Sequence, residues 1–88
     1  MAFPGGSAYA MARDIAEGYL LVTERSFKRM AAPEMDQLAF EMDRHLRELR
    51  GESAPTDDQA ATQYRNRRIQ RLNAALMLLR SWRQRSRA

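Results

Sequence analysis

Apolar residues recur at helical spacing in three stretches of the chain, and short breaker segments separate them. In the first stretch, at about 100° per residue, Ala8, Ala12, Ile15, Ala16, Tyr19, Val22, Thr23, Ser26, Phe27 and Met30 fall on one face. Asp14, Glu17, Glu24 and Arg25 sit mostly away from it. Ser7 suits an N-cap. The pattern predicts a helix over 8–31, with a kink allowed at Gly18, because glycine inside a helix costs up to about 1 kcal/mol against alanine.

The second stretch is cleaner. Met35, Leu38, Ala39, Met42, Leu46 and Leu49 form a narrow stripe. Pro33 fits the first turn of a helix, where its missing N–H would be unpaired anyway, and Glu34 and Asp36 suit the positive end of the dipole. Arg50 followed by Gly51 is a stop signal, so a helix is predicted over 33–50. The third stretch follows a short polar turn at 51–55. Thr56 and Gln59 have capping-box spacing, and Asp57 is an alternative cap. Ala61, Tyr64, Ile69, Leu72, Ala75, Leu76, Leu79 and Trp82 give the stripe of a helix over 57–86, roughly 40 Å long.

These elements define an all-α fold: a three-helix antiparallel bundle with a long C-terminal helix. Residues 1–6, broken by Pro4, Gly5 and Gly6, are expected to be a flexible arm, and 7–88 a single domain. If straight, the third helix overshoots the turn at 31–33 by roughly 15 Å. That overshoot holds Leu76, Leu78, Leu79 and Trp82, which need a cover: a second copy, a partner helix or a bend. A domain of this size buries only about 60–65% of its unfolded surface. A homodimer is therefore expected.

Charge sharpens this picture. After Asp58 there are eight arginines and no acidic residue, whereas the rest of the chain carries seven basic and eleven acidic side chains. Arg65 and Arg68 fall within the apolar stripe and are expected to meet carboxylates such as Glu17, Glu24, Glu41 or Asp43, because a charge aimed at a core must be paired or must snorkel out. Arg67, Arg71, Arg80, Arg83, Arg85 and Arg87 are the candidates for an outside acidic partner, nucleic acid foremost. Trp82 suits base stacking, although packing is the favoured reading. Phe40 stands about 140° from the centre of its helix's stripe and is a candidate anchor for a second interface.

Catalytic chemistry is poorly supplied. The chain has no cysteine and a single histidine, His45, at the margin of an apolar stripe. No carboxylates are spaced for a hard cation, Gly5-Gly6-Ser7 lacks the spacing and lysine of a phosphate loop, and no apolar run approaches the roughly 20 residues of a spanning helix. No secretory signal is expected at the start, and a cytoplasmic location follows. No enzyme activity, metal, cofactor or small-molecule substrate is expected. The sequence points to a small regulator or adaptor whose arginine-rich helix binds DNA, RNA or an acidic protein surface. The alternative is a pure protein–protein module (adaptor, secretion chaperone or inhibitor of a larger complex) using the Leu76–Trp82 surface, with no nucleic-acid role.

Overall fold

The computed structural model of the chain describes residue 3, residues 6–51 and residues 58–87, with side chains as far as residue 85. Four helices make up the described residues: α1 (Ala8–Glu17), α2 (Glu24–Lys28), α3 (Ala32–Gly51) and α4 (Gln59–Arg87). The fold is all-helical, and the helix count of three is corrected to four, because the stretch 8–31 is two helices rather than one.

The break lies at Gly18. This residue takes the left-handed conformation at φ 84°, which costs glycine nothing sterically but an L-residue about 1–2 kcal/mol. Tyr19 N–H donates to the Asp14 carbonyl at 2.9 Å and Gly18 N–H to the Ile15 carbonyl at 3.2 Å, the paired bonds that close a Schellman turn. The chain restarts at Thr23, whose N–H donates to Ser26 Oγ at 3.2 Å. At the other starts, Ser7 Oγ accepts from Ala10 N–H at 3.1 Å and Glu34 Oε1 accepts from Ala31 N–H at 2.7 Å. The capping residues expected for the last helix, Thr56 and Asp57, lie outside the described residues; Asp58 performs the role, its carboxylate accepting from Ala61 N–H at 3.0 Å.

α1, α3 and α4 pack against one another in all three pairings, and α2 lies on α4. The core is drawn from the predicted stripes. Met35, Leu38, Met42, Leu46 and Leu49 of α3 meet Leu72, Ala75, Leu76 and Leu79 of α4 and Ala12, Ile15 and Ala16 of α1. Met11, outside the predicted stripe, is buried as well. Of the expected arm, Phe3 packs against this core, and Gly6 N–H donates to its carbonyl at 3.0 Å.

α4 is unbroken over 29 residues, about 43 Å of helix, in a molecule of 47 × 26 × 18 Å. The long rod is therefore present, but its bare apolar tip is not. Leu76 and Leu79 are 4% and 2% exposed. Their cover comes from the same chain. The turn at Gly18 frees the second half of the predicted first helix, and that half lies on α4 through the buried Phe27 and Met30 and the half-buried Leu20 and Val22.

Candidate docking groove

Arg71 links the turn after α1 to the middle of α4. The Schellman bonds leave the Ala16 carbonyl unsatisfied, and Arg71 Nη1 donates to it at 3.0 Å. The guanidinium lies so close to Gly18 that a Cβ built there would stand 3.0 Å from its central carbon. Arg71 is thus a half-buried clamp rather than the solvated cation expected from the helical wheel.

Beyond Gly18 the chain alternates in burial as an extended segment does. Leu20 and Val22 turn inward and pack on the core, while Tyr19 and Leu21 are 82% and 85% exposed. This segment forms one wall of a groove of about 400 Å³. Arg71, Ala74, Ala75 and Leu78 form the opposite wall, and Ile15 is also part of the lining. The depth comes from side-chain size, since two alanines face three large aliphatic residues. Met77 sits one turn from Ala74 on the outside of α4 and is 70% exposed.

The predicted site residues separate into three groups. Leu76 and Leu79 are core and leave no Leu76–Trp82 surface for a partner; Trp82 is half-buried and packed on the core, with the Arg85 guanidinium 5.7 Å from its ring centre. Leu78 alone of that set lines the groove. Among the arginines, Arg83 pairs with Asp36 and also donates to the Ala32 carbonyl at 3.3 Å, and Arg85 pairs with Glu24 at 2.6 Å. Arg67 and Arg80 are exposed, and the side chain of Arg87 lies outside the described residues. Phe40 is 57% exposed, as the wheel suggested, beside a shallow depression lined by Ser7, Ala8, Tyr9 and Gln37.

Internal pairing of the core-facing arginines holds for Arg68, which lies 4.0 Å from Glu17 and places its guanidinium 4.4 Å from the Tyr64 ring centre. Tyr64 donates its hydroxyl to Glu17, and that hydrogen bond, aided by desolvation and the carboxylate's charge, raises the phenol above its ordinary value of 10.0.

Sequence reasoning missed Tyr19, Leu21 and Met77. It placed Tyr19 on the core face of a continuous helix, and it assigned no role to Leu21 or Met77. The available signal was Gly18 followed by four bulky apolar residues and then Thr23 with Ser26 three positions on. Among the described residues no three His, Asp or Glu side chains gather as metal ligands, and no helix is long and apolar enough to cross a membrane. Comparison of the chain with protein-family models, with curated proteins and with solved structures finds no match, so geometry alone carries the functional reading.

Proposed function

We infer that the protein is a small non-enzymatic adaptor that holds a helix of a partner protein in the groove between residues 18–22 and α4. The observation that carries this reading is a formed cleft walled by Leu20, Leu21 and Val22 on one side and Ala74, Ala75 and Leu78 on the other, with Leu21 85% exposed. Scattered exposed apolar side chains are ordinary, but a continuous patch around a cleft marks an interaction site. The α4 wall runs from position 71 to 78, two helical turns or about 10 Å, which matches anchors at i, i+3 and i+7 of a docked helix. His45, the single histidine, is a half-buried boundary residue with its ring 6.4 Å from that of Tyr9.

The test uses a panel of labelled amphipathic helical peptides and fluorescence anisotropy, with the bound surface mapped by amide chemical shifts. Binding should perturb residues 18–22 and 71–78 and be lost in Leu21→Asp. Perturbations confined to other surfaces, or affinity indifferent to Leu21→Asp, overturn the reading. Leu79→Ala is unsuitable here, because it hollows the core.

Nucleic-acid binding is the second reading, now carried by a different element. Arg25, Lys28 and Arg29 occupy i, i+3 and i+4 of α2 and its C-cap, and all three are exposed. The salt dependence of duplex binding tests it.

A further inference from the structure

We propose that the groove selects its occupant by charge: it takes an amphipathic helix of another protein that carries carboxylates beside its apolar face, and Arg67 is the residue that reads them. This rests on the adaptor reading and names the partner's chemistry. Among the lining residues the only charged one is Arg71, and no carboxylate is among them. On the helical wheel Arg67, Arg71, Ala74 and Leu78 lie within about 60° of one another, so the apolar wall of α4 continues into a basic end.

The two arginines there differ in role. Arg71 spends one donor on Ala16, and a guanidinium has five. Arg67 is exposed, and no partner for it occurs among the described residues. Glu17, the carboxylate that contacts Tyr64 and Arg68 at this end of α4, is already engaged by both. Among the described residues none lining the groove supplies negative charge at this end. A second copy docked through the same face supplies it poorly, because that face brings the same lining, with Arg71 and no carboxylate, from both chains. Complementary charge therefore favours a different, acidic chain.

Two synthetic helical peptides with the same apolar stripe test this, one flanked by glutamates and the other by lysines at the same positions. Each is titrated by anisotropy into the full chain, into Arg67→Glu and into Leu21→Asp, with circular dichroism showing that each variant keeps its helix content. The glutamate peptide should bind about tenfold tighter than its twin, since attraction to Arg67 and Arg71 is exchanged for repulsion. Arg67→Glu should erase or invert that ratio, and Leu21→Asp should abolish binding of both. Equal binding of the twins, or a ratio unmoved by Arg67→Glu, overturns charge selection while leaving the adaptor reading intact. Failure of both peptides to bind overturns both; if sedimentation then shows a mass that doubles with concentration and reverts in Leu21→Asp, the occupant is a second copy.

Discussion

Gly18 and Arg71 depend on each other. The glycine holds a left-handed turn with φ 84°, and its missing side chain leaves the space the guanidinium fills. Gly18→Ala therefore meets both a backbone penalty and a displaced clamp, and should destabilise the fold by about 1–2 kcal/mol in urea unfolding. The same substitution in an Arg71→Ala background should cost less, because only the backbone part remains; additive losses would show that the contact is incidental. Tyr64 makes a second residue-scale prediction. Its hydroxyl donates to Glu17, and this raises its folded pKa above 10.0. The sign follows: the contact's contribution is complete at neutral pH, and it is lost as pH climbs past 10 through the raised folded value. Glu17→Gln should bring the Tyr64 midpoint down, read from the phenol carbon shift; an unchanged midpoint would locate the cause elsewhere.

At the scale of elements, α2 is the piece whose stability is wholly borrowed. Five residues cannot sustain a helix alone. Phe27, 1% exposed, roots it in the core, and the Glu24–Arg85 pair pins its first residue to α4. Phe27→Ala should cost about 3–5 kcal/mol, a large share of the margin of so small a domain. The amides of 24–28 should then exchange faster than those of α3. Glu24→Gln breaks a half-exposed pair and should cost at most about 1 kcal/mol. The contrast also explains what the sequence could tell. The α3 stripe was legible because one face is buried from Met35 to Leu49, with start signals at Pro33 and Glu34 and a stop signal at Arg50-Gly51. Phe27 and Met30 were correctly read as core residues, but in the wrong frame, because a 100° projection passes through a turn without registering it. The groove was hidden for the same reason: Tyr19 projects onto the buried face of a helix that ends two residues before it.

Across the whole molecule the charge split has a structural use. α4 has no carboxylate of its own beyond its start, so its described ion pairs all run to other helices: Arg68 to α1, Arg83 to α3 and Arg85 to α2. Two of the six arginines expected to form a phosphate track, Arg83 and Arg85, instead fasten α4 to α3 and α2, Arg68 fastens it to α1, and Arg71 caps α1. Of that track, Arg67 and Arg80 are the exposed arginines among the described side chains, and about 140° of helical wheel separates them. This difference is measurable, because log K falls with log salt at about 0.9 per phosphate neutralised. A six-arginine track would lose roughly 10³-fold in affinity for duplex DNA between 50 and 200 mM salt, whereas two cations would lose roughly tenfold. The shallow slope is the expected result, with Arg83→Ala and Arg85→Ala lowering the unfolding midpoint and leaving the slope alone. A slope near six that falls by about three in Arg25→Ala/Lys28→Ala/Arg29→Ala would move the nucleic-acid surface to α2 and make phosphate binding the leading activity.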